Sequence, residues 1–337
     1  MSFALHFDSN KNTEKLNISL LESFNNINDC HKFDRLVFDS YFNQPIPRLP
    51  HFIKHIELGY YFNEDLSNIG EYIETIIFQG NEFNVDMSKL PKGLKEIKIM
   101  SDKIISKIEN INIELKKICI QSENFNSELK LTNTKITSII INSRKFNKNL
   151  LHLPLGLKEL ELYGSYNCSL NNLPSCLEYL KISSDIFNQT LDNLPRSLKT
   201  LILDNMDNFN HPLNNLPHGI ETLKLNFGYF LRTYSTNNIY KYSMENLPSS
   251  IKYLSLSNYW GDLNTIIDNI LDLDIWFPPS TSMTAHTHLQ HWNKLPTQLE
   301  KLNINKEIAY INPAHNMIDS IKHNLNLHNI LVNDVLM

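Results

Sequence analysis

A leucine-proline dipeptide recurs along this chain of 337 residues and constrains its fold more than any other feature. It stands at Leu49-Pro50, Leu90-Pro91, Leu153-Pro154, Leu173-Pro174, Leu194-Pro195, Leu216-Pro217, Leu247-Pro248 and Leu295-Pro296, so eight of the 14 prolines share one slot. Apolar residues follow the Leu at the fourth, seventh and ninth positions, as in Leu157, Leu160 and Leu162 or Leu198, Leu201 and Leu203. The same frame without Leu-Pro covers Phe33, Leu36 and Phe38; Ile73, Ile76 and Phe78; Leu115, Ile118 and Ile120; and Ile136, Ile139 and Ile141. Units follow one another at 20 to 22 residues as far as Leu216, then at 31 to Leu247 and 48 to Leu295. A unit this small cannot bury its own apolar groups, and becomes stable only when copies stack.

The run L-x-x-L-x-L is the strand signature of a leucine-rich repeat, because its last two apolar residues have the period of two that puts both on one sheet face. Proline cannot donate a ladder hydrogen bond, so the Leu-Pro slot belongs on a turn or an extended return. The expected architecture is a repeat solenoid of about 12 coils, with parallel strands on one face and turn-rich returns, equivalent residues lying about 4.8 Å apart. Seven residues before each Leu slot stands an aromatic residue followed by Asn: Phe42-Asn43, Phe62-Asn63, Phe83-Asn84, Phe125-Asn126, Phe146-Asn147, Tyr166-Asn167, Phe187-Asn188 and Phe209-Asn210. The rings are expected to form an aromatic spine. The asparagines are expected as buried amides satisfying the backbone of their own turn and the next.

Composition narrows the function classes. Only 9 glycines occur, none spaced for a phosphate-cradling loop, so nucleotide-binding folds are disfavoured. Net charge is -5, with acidic and basic residues scattered, which argues against nucleic acid as a partner. The start, Met1 to Asp8, lacks a basic and then apolar leader, and no apolar run is long enough for a membrane span, so a soluble, cytoplasmic chain is expected. Cys30, Cys119, Cys168 and Cys176 form no C-x-x-C pair and read as reduced thiols. No nucleophile, base and orienting acid can be assembled from the spacing, so no catalytic residue, cofactor or small-molecule substrate is assigned. The 45 asparagines make the residue too common to carry meaning outside the repeated slot.

Phe42-Asn43-Gln44-Pro45-Ile46-Pro47-Arg48-Leu49-Pro50 and Phe187-Asn188-Gln189-Thr190-Leu191-Asp192-Asn193-Leu194-Pro195 resemble the FNIP repeat, named for its Phe-Asn-Ile-Pro core. The resemblance covers roughly residues 29 to 305. It implies a leucine-rich-repeat-like protein of the kind found in social amoebae and giant viruses of amoebae, in the latter case working in the host cytoplasm. Its implied role is a noncatalytic protein-interaction scaffold using the concave sheet face or insertion loops. Some relatives carry an F-box, which makes a ubiquitin-ligase adaptor an alternative. The expected organisation is an N-terminal cap at 1–28, repeats at 29–305 with insertions at 226–246 and 257–294, and a helical C-terminal cap at 306–337.

Tyr163, Tyr179 and Tyr253 fall on or beside the strands and are the candidate anchors for a protein partner. The residue after the first strand apolar position alternates in sign at many steps, as at Asp34, Lys54, Glu74 and Lys95, which suits pairing along the sheet edge. In the second insertion, Asp262 is expected to cap a short helix with Leu263, Ile266, Ile267, Ile270 and Leu271 on one face. That insertion also holds His286, His288 and His291, which with Asp272 and Asp274 could form a zinc site and support a metal-dependent hydrolase as another alternative. The stronger reading puts His288 in the aromatic slot, seven residues before Leu295, so no metal is assigned.

Overall fold

The structure, a computed structural model, describes residues 3–7, 33–104, 108, 109, 111, 114–227, 240, 242–276, 292 and 294–304. The chain divides into two compact units, Met1–Gly164 and Ser165–Met337. The C-terminal cap expected at 306–337 lies outside the described residues, as does most of 1–28.

In the first unit the strands are β1 (Phe3–Phe7), β2 (Phe33–Phe38), β3 (His55–Leu58), β4 (Thr75–Phe83), β5 (Glu96–Ile104), β6 (Lys117–Gln121), β7 (Ser138–Ser143) and β8 (Glu159–Gly164). Each pairs in parallel with the next in chain order. Register follows the repeat frame residue for residue, so Leu36, Ile56, Ile76, Ile97, Ile118, Ile139 and Leu160 form one buried row. Isoleucine dominates these strands, and its branched Cβ suits a pleated, closely packed surface.

The second unit has β9 (Tyr179–Ser183), β10 (Thr200–Asp204), β11 (Thr222–Asn226), β12 (Tyr253–Ser257), β13 (Asp272–Trp276) and β14 (Lys301–Ile304), again parallel and in chain order. Leu180, Leu201, Leu223, Leu254, Leu273 and Leu302 form the equivalent buried row.

The prolines lie off the strands. Each Leu-Pro proline opens a turn whose carbonyl accepts the N–H three residues on, at 3.0 Å for Pro50 to Ile53, 3.1 Å for Pro195 to Leu198 and 3.2 Å for Pro296 to Leu299. Its missing N–H is therefore never required by the sheet. The next backbone contact starts the ladder: the Glu74 carbonyl accepts from both Lys95 and Glu96, and the Glu178 carbonyl from both Lys199 and Thr200.

Two strands lie outside the expected frame. β1 adds a rung before β2, within the segment expected only as a cap. β13 lies inside 257–294, where the sequence suggested an insertion bearing a helix. Asp262 does cap a single 3-10 turn, Leu263–Thr265, by accepting from the Asn264 N–H. The chain then enters another coil, with Leu263, Ile266, Ile270, Leu273 and Ile275 all buried. These residues fit the repeat frame with Ile266 in the Leu slot, so the 48-residue interval divides into 19 (247 to 266) and 29 (266 to 295). A helix reading fails because a spacing of three and four residues is shared by an amphipathic helix and by this coil.

Candidate interaction surfaces

Alternation along each strand leaves a second set of side chains on the open face of the sheet. In the second unit one row runs Tyr179, Thr200, Thr222, Tyr253, Asp272 and Lys301, with Lys181, Ile202, Lys224, Ser255, Asp274 and Asn303 beside it. No single charge sign dominates. Tyr253 is half-buried and anchored: its hydroxyl donates to Asp274 Oδ2, and Lys224 Nζ lies 5.0 Å from its ring centre. Burial first, and then the Asp274 carboxylate, push its phenol above the ordinary value. Asn303 Nδ2 donates to the other oxygen of Asp274, and Lys301 pairs with Asp272 at 3.2 Å.

The three sequence-derived tyrosines do not form one cluster. Tyr179 and Tyr253 share a row, but Thr200 and Thr222 stand between them, so the two lie about 14 Å apart at three sheet steps. Tyr163 belongs to the first unit, at the end of β8, where its hydroxyl donates to Glu161. His286, His288 and His291 lie outside the described residues. Among the described residues no group of three or more His, Cys, Asp or Glu is arranged to hold a metal ion, and no helix is long and apolar enough to cross a membrane.

The Phe-Asn slot resolves into two ladders. Rings stack at 6.2 Å between Phe42 and Phe62, 5.6 Å between Phe125 and Phe146, 6.4 Å between Tyr166 and Phe187, and 6.0 Å between Phe187 and Phe209. Beside them, at four steps, an Asn side chain accepts from the backbone N–H of the next Asn. Asn43 to Asn63 measures 2.9 Å, Asn126 to Asn147 3.0 Å, Asn167 to Asn188 2.9 Å and Asn188 to Asn210 3.0 Å. The asparagines are not the buried amides that the sequence suggested: apart from half-buried Asn167, each of these is exposed. Of the remaining pair, Asn84 is exposed in the turn after β4, and Phe83 ends that strand.

Sequence reasoning missed two further rings in the spine. Tyr240 stacks on Phe209 at 5.8 Å and Tyr259 lies 6.2 Å from Tyr240, both seven residues before a Leu-slot position but without the following Asn. It also passed over Tyr41, Tyr60, Tyr61 and Tyr72, which are exposed in the first unit. Doubled aromatics just before the Phe slot, in Tyr41-Phe42 and Tyr60-Tyr61-Phe62, were the available signal.

Comparison with known proteins agrees with this geometry. The crystal structure of CroV588, a giant-virus protein described as a novel circular LRR protein, is similar over 90% of this chain and 46% of its own, with TM-score 0.58 and 21% identity. Curated protein sequences give no match. The family model for the FNIP repeat matches residues 42–70 and 187–228. Two segments of the chain thus match the FNIP repeat, and its fold is leucine-rich-repeat-like. The chain spans less than half the length of CroV588, and at that identity the likeness concerns the fold. The matched FNIP stretches include Phe42-Asn43, Phe62-Asn63, Phe187-Asn188 and Phe209-Asn210, where ring stack and Asn ladder occur together, as they also do at Phe125-Asn126 and Phe146-Asn147 outside the matched residues. The Tyr240 and Tyr259 coils keep the ring and lose the Asn, which places them beyond the FNIP pattern while preserving the stack.

Proposed function

We propose that this FNIP-type protein is a noncatalytic scaffold that binds another protein through the open face of its sheet or through the segments at 226–246 and 257–294. The observation that carries this reading is the division of labour in each strand. One set of alternating residues fills the interior, and the other presents a mixed row of aromatic, hydroxyl and charged groups with no core duty. Half-buried tyrosines on a rigid sheet lose little side-chain entropy when covered, which favours Tyr179 and Tyr253 as contact points. Tyr163 is the corresponding candidate in the first unit.

Affinity purification from amoebal cells, with the wild-type chain and Tyr179→Ala in parallel, tests the proposal. A protein recovered with the wild type and at least tenfold depleted with the variant, at unchanged melting temperature, supports the sheet face. Equal recovery with both moves the contact off that face. Copurification of ubiquitin-ligase subunits would instead favour the adaptor reading.

A further inference from the structure

Beyond the protein-binding reading, we infer that the first unit carries a separate ligand site: a groove across the carboxyl ends of β3 to β7 that takes a linear, uncharged carbohydrate. The groove has a volume of about 580 Å³. One wall is a register row, Gln79, Met100, Gln121 and Asn142, contributed by four consecutive strands. Gly80, Ser101, Ser122 and Ser143 follow these four residues in the chain and also line the groove, the three serines being buried. Gln79 is oriented by donating to Glu57, which keeps its amide on the groove wall.

Three observations choose the ligand class. First, each amide of the wall offers both donors and acceptors, the pattern that a sugar hydroxyl, itself donor and acceptor, can match on both counts. Second, Tyr60 lines one end and is 40% exposed, with Tyr61 edge-on at 5.0 Å and Tyr41 stacked on Tyr61 at 5.7 Å. Such a platform suits the apolar face of a pyranose ring. Third, among the described lining residues the formal charges are Glu123 and Arg144, which lie 3.8 Å apart and cancel. A phosphate or a polyanion finds no net positive field there. Met100 is the single large aliphatic side chain among the lining residues, which disfavours a lipid or an amphipathic helix.

Spacing separates sugar from peptide. The wall repeats once per coil, about 4.8 Å, whereas an extended peptide shows the same side every second residue, about 6.7 Å. A β-linked sugar chain advances by one ring over a distance close to the coil step, so successive rings meet successive coils.

The test is calorimetric titration of the full chain with oligomers of β-1,4-linked glucose and of N-acetylglucosamine, one to six rings long. Affinity for at least one series should rise with length and level off near five rings, when the coils from β3 to β7 are occupied. Tyr60→Ala and Gln121→Ala should each weaken the best oligomer at least tenfold, while Tyr72→Ala, exposed at the opposite strand end, should leave it unchanged. Melting temperatures confirm that each variant is folded, and Gln121→Glu serves as a second, isosteric change at the wall if Gln121→Ala unfolds. Absence of heat with every oligomer, equal affinity for one ring and six, or binding retained in folded Tyr60→Ala and wall variants would overturn the assignment. So would preferential capture of an extended peptide in competition at this groove. None of these outcomes bears on Tyr179 in the second unit, so this site and the protein-binding reading tested there fail independently; Tyr163, the register neighbour of Asn142, is left out of the test for that reason.

Discussion

Phe187 and Asn188 are neighbours in the chain and opposites in environment: the ring is fully enclosed between Tyr166 and Phe209, while the amide sits on the surface and accepts from the Asn210 N–H of the next coil. The energetic consequences differ accordingly. Phe187→Ala removes a stacked, buried ring and should cost about 3–5 kcal/mol. Asn188→Ala loses the one solvent-accessible hydrogen bond that its Oδ1 accepts from the Asn210 N–H, and should cost only about 1 kcal/mol. Denaturant melts of the two variants check the ratio; a larger loss for Asn188→Ala would mean that the amide ladder, not the ring spine, dominates. Carboxylates give a second prediction at this scale. Ser67 N–H holds Asp65 below its ordinary 3.8, Lys95 holds Glu74 below 4.5, Ser88 holds Asp86 below 3.8 and Lys135 holds Glu114 below 4.5. A carboxyl with a lowered folded value stabilises the fold above the unfolded value and loses that contribution as pH falls through the folded one. Melting temperature should therefore fall as pH drops below about 4.5, and in high salt the part due to the exposed Lys95 and Lys135 pairs should shrink. A flat profile from pH 6 to 3 would contradict it.

At the scale of the coil, most of the architecture was legible because one period fixes strand, turn and spine together. The twelve strands read from L-x-x-L-x-L match β2 to β12 and β14, and every Leu-Pro proline opens its turn as the missing N–H requires. β13 was hidden because its coil lacks Leu-Pro, has Tyr259-Trp260 in place of Phe-Asn, and spaces its apolar residues as a helix would. Burial of the asparagines was misjudged for a different reason: sequence repetition records that a residue is structurally required, not whether its partner lies inside or at the surface. If the β13 coil is part of the stack, Leu273→Ala should destabilise by about 2–5 kcal/mol, as should Leu254→Ala in the neighbouring strand, both side chains being fully buried. A cost below about 1 kcal/mol, read by chemical denaturation, would return the segment to a surface loop. Close approach between coils sets a further limit. Gly164 has φ +116°, and a Cβ there would lie 2.0 Å from the Ser143 carbonyl oxygen. Gly164→Ala should therefore lower the melting temperature, whereas Gly156→Ala, with open space around its Cα, should not.

Across the whole molecule, each unit is a succession of equivalent layers, and its interior is a set of rows rather than a single centre. Ion pairs reinforce the layering weakly: Glu74–Lys95, Glu96–Lys117, Glu178–Lys199 and Asp272–Lys301 each join adjacent coils, with the acid in the earlier one. Exposed pairs of this kind contribute about 0.2–1 kcal/mol each, so they adjust register more than they hold the stack. Candidate sites were far less legible than the fold, because a binding surface uses the residues the repeat leaves free, and those carry no period. Tyr41, Tyr60 and Tyr61 come together only once the coils are superposed.

Cysteine pairs in a chain whose four native cysteines are changed to serine test that superposition directly. Residues 188 and 210 are 22 apart in sequence and one coil apart in space, whereas 167 and 210 are two coils apart. Disulfide formation needs Cα atoms about 4.4–6.8 Å apart. The Asn167→Cys/Asn188→Cys and Asn188→Cys/Asn210→Cys pairs should oxidise readily, and Asn167→Cys/Asn210→Cys should stay reduced under the same conditions. Equal crosslinking of all three pairs, or none in the one-coil pairs, would contradict the stacked arrangement.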